Sequence, residues 1–386
     1  TGDRWYQILE FAHRTGVRIV FTLNYFMGTQ TDINDRETRD SQDWDSTQAR
    51  QLLEFTKLHA PPGVIFGFEL GNEVTHKNRI THLERYGRAY GTLRNLVEEI
   101  WADTAVEERP QLLGPAATSS SLEDIVPFVE EHVDIITFHK YQGNGLDEEL
   151  GSKAMRPSFY WPSEKYSEEV ANAGKASKVW IGEGAMASSS GQAGITDTFL
   201  STMWFANALG SVAQTKPVPI STFCRQTLIG GNYGIMAQDT LDPLPDFYLM
   251  RLWTHIVGNQ AVGPLGVKSA SHVGSLLMHA FCGKNKAEIV MVVVNINSNV
   301  DFHLNIPWGT SRDEYLLQGS PNVTGRSILI NDVIQKMESD GSLPDLVPNT
   351  VTVENRMRAP AHSVAFAVVK GTHASVCRGN PSLDPS

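Results

Sequence analysis

Val64-Ile65-Phe66-Gly67-Phe68-Glu69-Leu70-Gly71, continuing into Asn72-Glu73, is the stretch on which the fold turns. Its apolar, β-branched and aromatic beginning reads as a short strand, Val64 to Gly71, and the glycine ends it. Asn72-Glu73 then falls at the C-terminal end of that strand. In a parallel α/β barrel this end is the open rim where loops gather, so a carboxylate there is a candidate for chemistry rather than for packing.

Working outward, five further runs have the same texture: Val17 to Asn24, Gln111 to Pro115, Val133 to His139, Val179 to Gly182 and Ile220 to Arg225. Helical patterns separate them, among them Thr47 to His59, Leu83 to Trp101, Leu122 to Glu131 and Thr196 to Leu209. Six strands alternating with helices imply a parallel barrel or a doubly wound sheet over residues 1–260. No G-x-G-x-x-G follows any of the runs, which disfavours a dinucleotide-binding sheet. After Gly258 the pattern becomes alternating segments, Val273 to Cys282, Glu288 to Asn297, Val300 to Ile306, Arg326 to Ile330, Thr350 to Val353 and Ser363 to Val369, parted by Gly, Pro and Asn. This predicts an antiparallel β-sandwich over residues 261–386.

The chain has 386 residues, 41% of them hydrophobic, which is enough apolar surface for a sizeable core and excludes disorder as the main state. A formal net charge of −11 repels a polyanion, so nucleic acid is not an expected partner. No run approaches the roughly 20 apolar residues of a membrane span. The chain opens inside an amphipathic pattern, Trp5, Ile8, Leu9 and Ala12, without a charged-then-apolar leader, and reads as the downstream part of something longer. Three cysteines permit at most one internal disulfide; Cys224, in an apolar run, is expected to be a buried thiol. Asn322-Val-Thr324 is the single acceptor-type glycosylation sequon.

A second strand-end carboxylate, Glu183, follows Trp180-Ile181-Gly182. Either glutamate alone could be an ion pair or a helix cap. Together they stand beside other strand-end polar groups, Asn24, His139, Tyr141 and Arg225-Gln226. Glycoside hydrolysis needs two carboxyl groups flanking the scissile bond, one to protonate the leaving oxygen and one to attack the anomeric carbon or activate water. The first must keep its proton and the second must stay ionised. Asn72 suits the first position, because its amide can bond a sugar hydroxyl. His76, His82 and His139 show no H-x-x-x-H or H-E-x-x-H spacing, and this chemistry requires neither metal nor cofactor.

Phe68-Glu69-Leu70-Gly71-Asn72-Glu73, Thr137-Phe138-His139-Lys140-Tyr141, Trp180-Ile181-Gly182-Glu183 and the block Cys224 to Gly234, with Asp242-Pro243-Leu244-Pro245-Asp246-Phe247-Tyr248, resemble glycoside hydrolase family 79, which contains heparanase, plant heparanase-like proteins and β-glucuronidases. The likeness spans nearly the whole chain. It implies a (β/α)8 TIM barrel plus a C-terminal β-sandwich, with Glu73 as acid/base on the fourth strand and Glu183 as nucleophile on the seventh. The visible runs then count as strands three to eight, and an N-terminal small chain or upstream segment would supply the first two.

The resemblance further implies that the loop at Gly231 and Tyr233 receives a glucuronate carboxylate, that His139 and Tyr141 bond Glu183 or the sugar, and that Asn24 and Gln226 line subsites. It also motivates a Cys282–Cys377 disulfide. Thr1-Gly2-Asp3-Arg4 and Leu122 to Glu131 are neutral or acidic where animal heparanase is basic, so a less charged glucuronide is the expected substrate. The expected activity is retaining cleavage of β-glucuronides, with the two carboxyl groups about 5 to 5.5 Å apart. A catalytically silent glycan-binding homologue is the alternative. A secretory-pathway setting is expected, whether extracellular, in the cell wall or matrix, lysosomal or vacuolar, and membrane association would be compatible with it.

Overall fold

The computed structural model describes residues 2–26, 43–75, 80, 82–264, 273–285, 287–352, 354–372 and 374–377. His76 lies outside the described residues.

Six strands form one all-parallel sheet in sequential order: β1 (Ile19–Leu23), β2 (Ile65–Leu70), β3 (Gln111–Thr118), β4 (Ile135–Asn144), β5 (Val179–Ser188) and β6 (Ile220–Arg225). Sequential order with helical crossovers is the arrangement of a barrel wall, because a doubly wound sheet reverses its order at a switch point. The described strands thus make a parallel half-barrel sheet. Each of the six predicted runs is a strand, and β3, β4 and β5 extend past their predicted ends. Helices Gly2–Thr15, Thr47–His59, Leu83–Ile100 and Leu122–Val129 occupy the predicted helical stretches.

The chain divides into two compact units. The first comprises Thr1–Lys140, Glu168–Glu183 and Ile220–Cys224. In it the helix Gly2–Thr15 lays Trp5, Leu9 and Ala12 against Val64, Ile19 and Phe21, the one-sided stripe that its sequence spacing predicts. Helix Leu83–Ile100 clamps the end of β2 with two fully buried tyrosines. The Tyr86 hydroxyl donates to Leu70 O, the Leu70 N–H donates to the Tyr90 hydroxyl at 3.2 Å, and that hydroxyl donates to Leu113 O at 3.0 Å. The outermost strands β1 and β6 are more open than β2 and β3, with burial confined to Leu23 in the former and Ile220 in the latter. Cys224, expected to be a buried thiol, is exposed. The apolar run forms strand β6, but β6 ends the strand order and no described strand covers its far side.

The second unit comprises Tyr141–Ser167, Gly184–Pro219 and Arg225–Ser386. Its strands are β7 (Val257–Pro264), β8 (Leu276–Gly283), β9 (Ile289–Asn295), β10 (Phe302–Leu304), β11 (Ser311–Ser320), β12 (Ser327–Ile330), β13 (Val333–Gln335), β14 (Asn349–Thr352), β15 (Met357–Ala359) and β16 (Ser363–Lys370). They make an antiparallel sheet of order β13-β12-β11-β16-β9-β8-β7, with β14 also on β11, and a small β10-β15 sheet. Phe302, Met357 and Ala359 of the small sheet share a core with Leu276, Met291, Val293, Ala365 and Ala367 of the large one, so two antiparallel sheets bury their facing apolar sides. Cys282 on β8 is bonded to Cys377, with Cα atoms 5.3 Å apart, well inside the span that a disulfide bridges. Asn322 is exposed in the turn between β11 and β12, where its Oδ1 accepts from the Thr324 N–H and hydroxyl at 3.0 and 2.9 Å. No described helix is long and apolar enough to cross a membrane.

Candidate active site

The end of β2 turns sharply. Gly71 takes φ 74°, a conformation with a cost for residues bearing a Cβ, and a Cβ there would meet Val74 at 2.5 Å. Two residues on, Glu73 also has a positive φ, 47°, an uncommon backbone state for a non-glycine residue. Its N–H donates to Ala116 O at 2.8 Å, and Ala116 shares the unusual state with φ 51°. The chain is therefore bent sharply between Gly71 and Glu73, while Glu183 lies within the regular strand β5.

These two carboxylates meet at His139 of β4. The His139 Nδ1–H donates to Glu73 Oε1 at 2.9 Å, and Nδ1 lies 3.9 Å from Glu183 Oε2. One oxygen of each glutamate and the imidazole nitrogen all fall within 4.8 Å of one another. His139 is nearly closed off from solvent, while both glutamates keep part of their surface open. Burial works to lower the His139 pKa, but the hydrogen bond to Glu73 and the charges of Glu183, Glu73 and Glu69 outweigh it and hold the pKa above the ordinary value. An imidazole N–H held between the two carboxyl groups offsets part of their mutual repulsion.

Glu69, two residues before Gly71, belongs to the same strand motif and is a further functional candidate that the sequence reading does not single out. Its carboxyl is buried beneath this cluster, taking a hydrogen bond from the Thr137 hydroxyl at 2.5 Å and one from Thr22 at 3.2 Å. Burial pushes its pKa up against the lowering effect of both hydroxyls. The available signal was a carboxylate inside an otherwise apolar strand, a combination that is rare unless the group is paired.

The other predicted site residues are placed as follows. Asn72 is exposed beside Glu73. Asn24, just past β1, accepts from the Phe26 N–H at 2.8 Å through Oδ1 and from Trp44 Nε1 at 3.2 Å through its carbonyl. It lines a cavity of about 570 Å³ with Phe21, Thr22, Trp44, Leu52 and Phe55. Tyr141, Gln226, Gly231 and Tyr233 belong to the second unit. Tyr141 is half-buried on β4. The Gln226 N–H donates to Gly184 O at 2.9 Å, and its Nε2 reaches the Tyr233 hydroxyl at 3.5 Å. Gly230 and Gly231 have φ 110° and 60°, so a loop only glycine enters easily sets Tyr233 in place. Arg225 is spent on structure: it pairs with buried Asp246 at 2.7 Å and lies over the Phe205 ring.

A parallel α/β sheet that brings a carboxyl group from the turn after β2 and one from β5 together at His139 of β4 has the arrangement of a glycoside hydrolase. Comparison with known proteins narrows the class. Residues 1–210 match the profile of the glycosyl hydrolase family 79 N-terminal domain, and the chain belongs to that family. Baicalin-beta-D-glucuronidase of Scutellaria baicalensis is 29% identical over 403 residues, covering 97% of this chain and 74% of that one. Heparanase-like protein 1 of Arabidopsis thaliana is 25% identical, covering 97% and 75%. Among solved structures, a 4-O-alpha-L-rhamnosyl-beta-D-glucuronidase from Fusarium oxysporum 12S aligns with a TM-score of 0.60 at 13% identity, over 94% of this chain and 79% of that one. The GH51 arabinofuranosidase of Xanthomonas axonopodis pv. citri aligns at 0.61 and 11%, over 95% and 78%. At such identities the structures speak for the fold alone.

Proposed function

We propose that the chain is a retaining β-glucuronidase in which Glu183 attacks the anomeric carbon and Glu73 serves as acid/base. The observation that carries this reading is that one oxygen of Glu73, one of Glu183 and a His139 nitrogen lie within 4.8 Å of one another, which supports the short carboxyl separation that retention uses over the wider gap of inversion. In the first step the Glu183 carboxylate forms an ester to the sugar carbon as the glycosidic C–O bond breaks, and Glu73 gives its proton to the departing oxygen. In the second, Glu73 takes a proton from water, the water oxygen bonds the anomeric carbon, and Glu183 leaves as carboxylate.

The glucuronide preference rests on the loop after β6. Backbone N–H groups near Gly231 and the Tyr233 hydroxyl, held by Gln226, suit a carboxylate without a metal. The likeness to a baicalin-β-D-glucuronidase supports the same substrate class. Asn24, Asn72, His139 and Tyr141 are assigned to sugar contacts on the family likeness.

Two finer points belong to the same reading. The openness of β1 and β6, the two ends of the strand order, supports completion of the barrel by an N-terminal segment of about two strands. The Cys282–Cys377 disulfide and the exposed Asn322 sequon support a secretory-pathway setting. The change of sequence texture after Gly258 supports a boundary between a catalytic and a sandwich domain near residue 260.

The deciding assay compares an aryl β-glucuronide with the matching β-glucoside. A site with donors awaiting a carboxylate should reject the neutral sugar by roughly 10⁴-fold, the penalty for leaving such groups unpaired. Tyr233→Phe should lower glucuronide turnover more than glucoside turnover. Equal use of both sugars would end the loop assignment, and binding without turnover would favour the silent homologue.

A further inference from the structure

Glu69 is not one of the two carboxyl groups that hydrolysis uses, yet it is more deeply buried than either. Burying a carboxyl costs several kcal/mol unless it is hydrogen-bonded, so its surroundings should account for it. Thr22 and Glu69 are direct cross-strand partners on β1 and β2, which turns the Thr22 hydroxyl toward one carboxyl oxygen. The Thr137 hydroxyl from β4 meets the other. The Thr137 oxygen in turn accepts the Ala116 N–H at 3.0 Å, and the Ala116 carbonyl accepts the Glu73 N–H at 2.8 Å.

Four residues on three strands and the turn after β2 thus form one continuous chain of hydrogen bonds, Glu69 to Thr137 to Ala116 to Glu73. It ends at the two residues whose backbones, at φ 51° and 47°, lie in the left-handed region. A non-glycine residue stays in that region only when its surroundings hold it there. Either form of the Glu69 carboxyl can accept from Thr137, and the neutral form can also donate to Thr22. The groups facing it are His139 on β4, Glu183 on β5, Cys224 on β6, and Tyr86 and Tyr90 on the helix Leu83–Ile100.

We propose that Glu69 is a positioning residue for the acid/base: anchored by Thr22 and Thr137, it holds through Ala116 the left-handed backbone that directs Glu73 at His139 and the leaving oxygen. This rests on the reading of Glu73 as acid/base. It assigns a role to the buried carboxyl that the two-carboxylate mechanism leaves idle. The consequence is specific. Misplacing the acid should hurt substrates whose leaving group needs a proton and spare those whose leaving group departs as a stable anion.

The test uses the full chain and a series of aryl β-glucuronides running from poor leaving groups to 2,4-dinitrophenyl, with kcat/KM read at each. Glu69→Ala and Thr137→Val should lose on the order of 10²-fold on the poor leaving groups, the cost of a misplacement near 1 Å, and far less on dinitrophenyl glucuronide. Thr137→Ser keeps the oxygen and Glu69→Gln keeps an acceptor and a donor, so both should restore most of the activity on poor leaving groups. A uniform loss across the series, or Ser and Gln variants as damaged as Val and Ala, would overturn the proposal. If Glu69→Ala fails to fold, the Thr137→Val and Thr137→Ser pair decides alone. Glu73→Ala is the control: a flat leaving-group series there would sink the acid/base reading itself, whereas a steep series there with a flat one for Thr137→Val sinks only the positioning role.

Discussion

Two histidines, one in each unit, are buried almost equally, His139 with 5% and His279 with 8% of its surface exposed, yet their pKa values move in opposite directions. His279 lies on β8 with its Nε2–H donating to Asn207 Oδ1 at 3.1 Å and its Nδ1 accepting from Gln214 Nε2 at 3.2 Å. Its ring partners are neutral amides, and burial lowers its pKa to about 4. His139 pays the same burial but faces carboxylates, and its pKa rises. Burial alone does not mark a functional histidine. The distinguishing feature is that the carboxyl groups of Glu73, Glu183 and Glu69 gather around it, where His279 meets only amides.

The largest effect should come from removing the charge that sets His139 apart. Glu183→Ala should lower kcat for aryl β-glucuronides by roughly 10⁵-fold, comparable to deleting the nucleophile of other hydrolases, and added azide should restore turnover to a glucuronyl azide of α configuration. A β-azide product would mean that the roles of Glu73 and Glu183 are exchanged.

Next comes the acid sensitivity of the second unit. The unfolded chain binds a proton at His279 near pH 6.5 while the folded chain resists until about 4, so stability rises with pH across that window and is lost as pH falls through it. The loss should be on the order of 3 kcal/mol. His279→Gln should flatten the profile of thermal unfolding between those limits, and an unchanged acid limb would show that His279 is not the group responsible.

The smallest effect concerns His139, where the sign reverses. Its folded pKa lies above the unfolded one, so its contribution is complete below the unfolded value and is lost as pH rises through the folded value. His139→Gln should flatten the alkaline side of the stability profile. It should also lower kcat by about 10- to 10²-fold, as the loss of a hydrogen bond to a charged group predicts. If both substitutions altered the same limb of the profile, the contrast between the two histidines would fail.

Much of this arrangement was legible in the chain before any coordinates. Six short apolar runs alternating with helical patterns pointed to a parallel α/β sheet, because strands buried on both faces are apolar nearly throughout. In the antiparallel unit, β11 (Ser311–Ser320) carries no clear strand pattern in the sequence, although β16, β12 and β14 all pair with it. Its inward positions include Arg312, fully buried and pairing with Glu314 and the Asn355 carbonyl. A charged residue at a core position breaks the alternation by which a half-buried strand is recognised. Among site residues, Glu73 and Glu183 stood out because each is a carboxylate within two residues of the end of an apolar run, which needs no knowledge of distant residues.

The sequence by itself determined where the strands begin and that Glu73 stands just beyond the Gly71 that closes β2, whereas His139 and Glu183, expected at strand ends, lie inside the longer strands β4 and β5. Tertiary structure alone decided that Glu73, His139 and Glu183 converge within 4.8 Å, that the His139 pKa rises while that of His279 falls, and that Glu69 connects through Thr137 and Ala116 to the Glu73 backbone. Those facts depend on distances between residues up to 110 positions apart, such as Glu73 and Glu183, and on the left-handed turn after β2. Local periodicity carries information about faces and ends. Electrostatic fields and hydrogen-bond chains arise only when separate strands are brought side by side.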